Sequence, residues 1–142
     1  MNGMEKDQEN STNQIFAHHE TTETIIGCAF NVMNTLGTGF LEKVYENALA
    51  VELQQMGLKV VQQRPIEVRY RDIVVGEYVA DMVVEDRVLV ELKAAQSLEN
   101  VHYAQCLNYL KATSFQVCLL LNFGSPELQV RRISPRKEWS KK

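Results

Sequence analysis

Hydrophobic positions recur along this chain in two rhythms, and the change from one to the other divides it. Over about residues 20–36, Ile25, Ala29, Val32, Met33 and Leu36 fall at the spacing of one helix face. Gly37 is a natural stop for that helix. Gly37-Thr38-Gly39 turns the chain into a second helix over about residues 40–56. Its predicted inner face is Leu41, Val44, Tyr45, Ala48, Leu49 and Leu53, and Gly57 closes it. With Gly39 as N-cap, Glu42 occupies the third helical position, where its carboxylate can bond back to the cap's amide.

The rhythm then shortens to two. Over residues 59–70, Ile66, Val68 and Tyr70 alternate with Glu67 and Arg69, the pattern of a half-buried strand. Pro65 implies an edge position or a break. Arg71-Asp72 reads as a turn, and residues 73–75 begin a further strand. Gly76-Glu77 predicts a bulge or short break before residues 78–84. Met-Val-Val at 82–84 and Val-Leu-Val at 88–90, joined by Glu85-Asp86-Arg87, form a hairpin of buried strands. A third helix follows over about residues 98–112, packed through Leu107 and Leu110. Residues 115–121 are a continuous apolar run, a strand buried on both faces, and residues 127–133 a more exposed last strand. A helix between two strands of one sheet implies a right-handed crossover and parallel strands. The predicted class is therefore α/β, a mixed β-sheet flanked by helices in the order α-α-β-β-β-α-β-β.

Size and composition fit one globular unit: 142 residues, 45% hydrophobic and 23% charged. We expect a single domain over 20–133, a polar mobile leader over 1–19 and a basic tail over 134–142. No apolar run approaches the roughly 20 residues of a membrane span, and no signal-peptide core is evident. Cys28, Cys106 and Cys118 are odd in number and lack Cys-x-x-Cys spacing, which points to reduced thiols and a cytoplasmic location. The net charge of −3 argues against a dedicated high-affinity nucleic-acid binder. It does not argue against an enzyme whose site is itself a carboxylate cluster. Arg131, Arg132, Arg136, Lys137, Lys141 and Lys142 crowd the C-terminus, as a phosphate contact or a solvated charge run.

The chemistry concentrates on the hairpin. Asp81 lies near one end of it, and Glu91-Leu92-Lys93 ends its second strand. Strand periodicity puts Glu91 and Lys93 on one face. Asp81 faces Glu91 only if the hairpin is centred on Asp86, with Glu85-Asp86-Arg87 a three-residue loop pairing Val84 with Val88. A two-residue turn at Glu85-Asp86 would oppose Asp81 to Val90 and part the carboxylates. Two carboxylates beside an ammonium suit a hard cation and metal-assisted phosphodiester hydrolysis. On the third helix, His102, Gln105 and Tyr109 share one stripe.

Gly39-Phe40-Leu41-Glu42-Lys43-Val44-Tyr45 resembles the Gly-x-x-Glu-x-x-Tyr signature of the GxxExxY family, within the PD-(D/E)XK nuclease superfamily. The resemblance spans about residues 20–133. It includes Asp81 … Glu91-x-Lys93, Gln105-x-x-x-Tyr109, Tyr-Leu-Lys-Ala-Thr at 109–113 and Leu121-Asn122-Phe123-Gly124. Ala80 stands where the superfamily name has proline. The resemblance implies a restriction-endonuclease-like core and a divalent-metal-dependent nuclease acting on nucleic acid, DNA before RNA. Asp81, Glu91, Glu42 and the Leu92 carbonyl would bind Mg²⁺ or Mn²⁺, and Lys93 would orient the attacking water or stabilise charge on the phosphate. Gln105 and Tyr109, with His102 and Tyr45, would support the site or contact substrate. The alternative is a catalytically silent module with this fold that binds protein or nucleic acid. A protein partner or homo-oligomer would fit a chain of this size, and no membrane is implied.

Overall fold

The computed structural model describes residues 18–135. The expected leader and tail fall outside that range except for residues 18, 19, 134 and 135. Helix α1 (His19–Leu36) buries Ile25, Cys28, Ala29, Val32 and Met33. It stops at Gly37, whose φ of 67° is readily adopted only by glycine and whose amide donates to the Met33 carbonyl at 2.8 Å. Helix α2 (Glu42–Gln55) starts two residues later than its pattern predicts, with Leu41 as N-cap. Glu42 is thus the first helical residue, not the third, and no side chain caps this end. The inner face rotates accordingly. Leu41 is 79% exposed and Val44 also faces out, while Tyr45, Glu46, Leu49, Ala50 and Leu53 are buried.

Among the described residues, five strands form one sheet in the order β1-β2-β3-β4-β5. They are β1 (Val60–Tyr70), β2 (Ile73–Val84), β3 (Val88–Lys93), β4 (Cys118–Asn122) and β5 (Gln129–Ile133). Helix α3 (Asn100–Ala112) links β3 to β4. Those two strands are parallel, as the intervening helix requires, and every other neighbouring pair is antiparallel. Pro65 lies on β1, an edge strand, where a missing backbone donor is tolerated. Strand β2 runs unbroken through Gly76; the irregularity comes slightly earlier, where Val68 pairs with Gly76 and Arg69 with Val74, leaving Val75 as the extra residue. Arg131 and Arg132 belong to β5, and Arg132 donates to Thr22 Oγ1 at 3.0 Å, tying that strand to α1.

The apolar faces sort into two layers. On one side, residues of α1 and α2 pack on Met82, Val84, Val90, Leu92, Leu119 and Leu121. On the other, Cys106, Tyr109 and Leu110 of α3 pack on Ala80, Val83, Leu89, Cys118 and Leu120. The even-numbered positions of β2 change sides within this scheme, since Ala80 belongs to the α3 layer but Met82 to the α1/α2 layer. Strand β1 does the same between Val60 and Ile66. The cause lies at Gln63, whose φ of 56° interrupts regular alternation. Gln63 stands opposite Asp81, between the pairs Gln62–Met82 and Arg64–Ala80. Beyond this crossover β1 and β2 continue as a two-stranded arm, because β3 pairs only with Met82, Val83 and Val84. Among the described residues, no helix is long and apolar enough to cross a membrane.

Candidate active site

The hairpin has the register that brings the carboxylates together. Val84 pairs with Val88, Val83 with Leu89 and Met82 with Val90. Glu85 and Asp86 both have positive φ, and the Arg87 amide closes the turn on the Val84 carbonyl at 3.0 Å, leaving Arg87 as the odd residue. One step further along this register stand Asp81 and Glu91, where the backbone ladder ends and the side chains take over. The Asp81 amide donates to Glu91 Oε1 at 2.8 Å. The Leu92 amide donates to Asp81 Oδ2 at 2.8 Å. Each carboxylate thus satisfies a backbone donor of the opposing strand at the point where β2 and β3 part.

Burial makes this arrangement electrostatically costly. Glu91 is 2% exposed. Burial first, then the Asp81 carboxylate, raise its carboxyl to about 8, against the Asp81 amide and Lys93, which lower it. Burial likewise raises Asp81 to about 6, with the Leu92 amide and Lys93 opposing and Glu42 and Glu46 adding to the rise. Lys93 Nζ lies 3.9 Å from Glu91 Oε2, on the face that strand periodicity predicts, and its side chain is 20% exposed. Glu42 enters from the α2 side. Burial raises its carboxyl above the ordinary value, Lys93 and a hydrogen bond from the Ala94 amide pull it down, and Glu46 pushes it up. Its predicted capping role is replaced by this bond to the chain just after Lys93.

Helix α3 closes the other side. Gln105, Tyr109 and His102 line one cavity together with Lys93. Tyr109 is buried and its hydroxyl donates to the Val79 carbonyl at 3.2 Å, which fixes β2 two residues before Asp81. Burial, then Glu91 and Asp81, raise its phenol. His102 Nδ1 accepts from the Glu99 amide at 3.0 Å, so this ring caps α3 as well as lining the cavity. Tyr45 is drawn into the core instead: it stacks on Phe123 at 4.8 Å, and its hydroxyl donates to the Gly37 carbonyl and accepts from the Phe40 amide. It braces the loop before Glu42 and lines no part of the cavity at Lys93.

The sequence pattern passes over Glu46, and it carries Asn122 and Gly124 only as part of a motif without assigning them a role. Glu46 is buried one turn beyond Glu42 and accepts from Lys43 at 3.0 Å, Gln62 at 2.6 Å and Gln63 at 2.9 Å. The i, i+4 spacing of two carboxylates was its only signal. Asn122 is fully buried; it accepts from the Ala95 and Gly124 amides and donates to the Ala95 carbonyl and Gln129. At Gly124 a Cβ would come within 2.4 Å of the Ala94 and Ala95 backbone. The Leu-Asn-Phe-Gly segment is therefore a clamp on the backbone that follows Lys93 and bonds Glu42.

Among the described residues, no three His, Cys, Asp or Glu side chains stand close enough together to hold a metal ion as they are. The donor set nevertheless fits a hard divalent cation. It is all oxygen, and burial disfavours ionisation of Glu91 and of the partly buried Asp81, a cost that a cation held between them would offset.

A mixed sheet between helices, parting over paired carboxylates and a lysine, is the architecture of the restriction-endonuclease-like α/β fold. A family model of the PD-(D/E)XK nuclease superfamily matches residues 19–133, and the chain belongs to that superfamily. Comparison with curated proteins gives no match. Among solved structures, an alkaline exonuclease from Laribacter hongkongensis is similar at a TM-score of 0.52 and 16% identity, over 70% of this chain and 58% of that one. A protein designated SSO0001 is similar at 0.52 and 15% identity, over 91% of this chain and 65% of that one. The chain thus spans less than two thirds of the length of either, and the likeness is one of fold.

Proposed function

We propose that the protein is a divalent-metal-dependent nuclease of the GxxExxY kind, hydrolysing phosphodiester bonds in nucleic acid. The observation that carries this reading is the pairing of the two strands through their carboxylates, Glu91 accepting from the Asp81 amide and Asp81 from the Leu92 amide, with Lys93 beside them. Asp81, Glu91, Glu42 and the Leu92 carbonyl would hold Mg²⁺ or Mn²⁺. When bound, the ion would polarise the phosphate and make bound water easier to deprotonate. In hydrolysis the water oxygen attacks phosphorus and gives up a proton, the bridging P–O bond breaks, and the departing oxygen takes up a proton. Lys93 neutralises charge gathering on the phosphate oxygens. The Ala94 amide holds Glu42 in orientation, and Tyr109 keeps β2 in place beside Asp81. Gln105 contacts the substrate from the cavity it shares with Lys93.

DNA in preference to RNA rests on the motif resemblance, and a reducing, cytoplasmic setting on three buried free cysteines. The second reading, a silent binding module, draws support from the carboxylates' failure to converge on one point as a three-ligand set among the described residues. Cleavage of single- and double-stranded DNA and RNA, with Mg²⁺ or Mn²⁺, by wild type and Lys93→Ala tests the proposal. The expected loss in the variant is on the order of 10³-fold. Equal rates in both proteins, or a folded metal-loaded wild type that cuts nothing, would turn the reading to the binding module.

A further inference from the structure

Two adjoining cavities run from Lys93 along the face of α3 towards the arm. The near one is walled by Lys93, Gln105 and Tyr109, the far one by Glu67, Arg69 and Lys111, and the two share Tyr78 and Asn108. They form one continuous groove. Its parts have volumes of about 390 and 570 Å³, each on the scale of a site for a nucleotide-sized ligand. Basic side chains stand in both parts: Lys93, 3.9 Å from Glu91, in the near one, and Arg69, paired with Glu67 at 2.7 Å, together with Lys111 in the far one.

At the junction stands Tyr78, 44% exposed. Its ring centroid lies 5.9 Å from that of Tyr109 at an interplanar angle of 58°. Tyr109 is itself buried and tied to the Val79 carbonyl, so Tyr78 is held against a fixed support while much of its surface faces solvent. An aromatic surface with Lys93 on one side and Arg69 and Lys111 on the other matches a base flanked by phosphates. Only an unpaired base offers its face, because stacking covers both faces within a duplex.

We propose that this groove is a subsite for a single nucleic-acid strand, which leaves Lys93 along α3 with an unpaired base stacked on Tyr78 and a phosphate near Arg69 and Lys111. The proposal rests on the nuclease reading for the direction of the strand, and it narrows the substrate to one with an unpaired segment beside the cut. Unpaired base and phosphate are common to DNA and RNA, so the test carries both.

Fluorescence anisotropy of labelled oligodeoxyuridine and oligouridine, and of a blunt DNA duplex, reads binding without turnover. The tighter of the two oligonucleotides identifies the sugar. Tyr78→Ala should weaken single-strand binding about tenfold and leave the duplex unchanged, and Tyr78→Trp should restore it. Lys111→Ala should flatten the salt dependence of binding by roughly 0.7 in log–log slope. Equal affinity of Tyr78→Ala and wild type for the single strand overturns the subsite. So does no rescue by tryptophan in a variant with a native thermal midpoint, an equal loss for the duplex, or no binding of either oligonucleotide. Failure of the nuclease reading appears separately: a protein that binds single strands through Tyr78 and cleaves nothing keeps the groove and loses the enzyme.

Discussion

Strands β3 and β4 lie side by side, parallel and buried, and end in different chemistry. Their register sets Glu91 beside Leu120 and Lys93 beside Asn122. At the end of β4, Asn122 is polar, neutral and fully bonded, which is how a buried polar group is ordinarily tolerated. At the end of β3, Glu91 is just as buried and carries one backbone hydrogen bond and a lysine at 3.9 Å. A carboxylate raised to about 8 is under-compensated. The first end stabilises the fold; the second holds a carboxyl whose ionised form the fold alone does not satisfy, and such imbalance is a mark of functional sites. The two ends are joined, because the Asn122–Gly124 clamp fixes the Ala94-Ala95 backbone that follows Lys93.

The contrast breaks most clearly under Glu91→Gln in metal-free protein. Burial raises the Glu91 carboxyl in the folded state, so the fold retains a proton that the unfolded chain releases from about pH 4 upward. Folded stability should therefore fall as pH rises from about 4 to 8, and Glu91→Gln, which keeps the acceptor for the Asp81 amide, should remove that fall. Urea denaturation should show a gain on the order of 4 kcal/mol at pH 8 and almost none at pH 4. Asn122→Ala at the neighbouring strand end should do the opposite. It orphans the Ala95 and Gly124 amides and should lower stability by about 3 kcal/mol at both pH values, by the same assay.

Gly124→Ala forces its Cβ onto the Ala94-Ala95 backbone and should cost about 2 kcal/mol in the same denaturation curves. It should also lower cleavage, because Glu42 is bonded to Ala94. The smallest effect belongs to Lys59→Ala. It breaks a 2.8 Å ion pair with Asp86 at the hairpin turn, but both side chains are well exposed, and the thermal midpoint should move by less than about 1 kcal/mol equivalent.

What could be read from the sequence was what periodicity and local geometry dictate. The odd-length turn at Glu85-Asp86-Arg87 followed from requiring Asp81 and Glu91 to share a face, and the parallel β3–β4 pair followed from the helix between them. The inner face of α2 was misjudged at Leu41 and Val44, because the helix begins at Glu42 and a charged residue, Glu46, takes a buried place alongside Tyr45. An apolar pattern does not register a glutamate whose burial is made tolerable by Lys43, Gln62 and Gln63. The side change at Gln63 and Asp81 was likewise hidden, since a left-handed glutamine leaves no trace in composition. Asn122 and Gly124 carry no role in the sequence beyond the Leu121-Asn122-Phe123-Gly124 motif, because their partners lie on the loop after β3, far away in sequence.

The proposed function requires Asp81 and Glu91 to seat a divalent cation. Calorimetric titration of Mn²⁺ into wild type and Asp81→Asn at pH 7, in two buffers of different ionisation enthalpy, tests this directly. Because the Glu91 carboxyl is raised to about 8, wild type should bind the ion and release about one proton, and Asp81→Asn should not bind it. Equal binding by both proteins, binding without proton release, or no binding by wild type would contradict it.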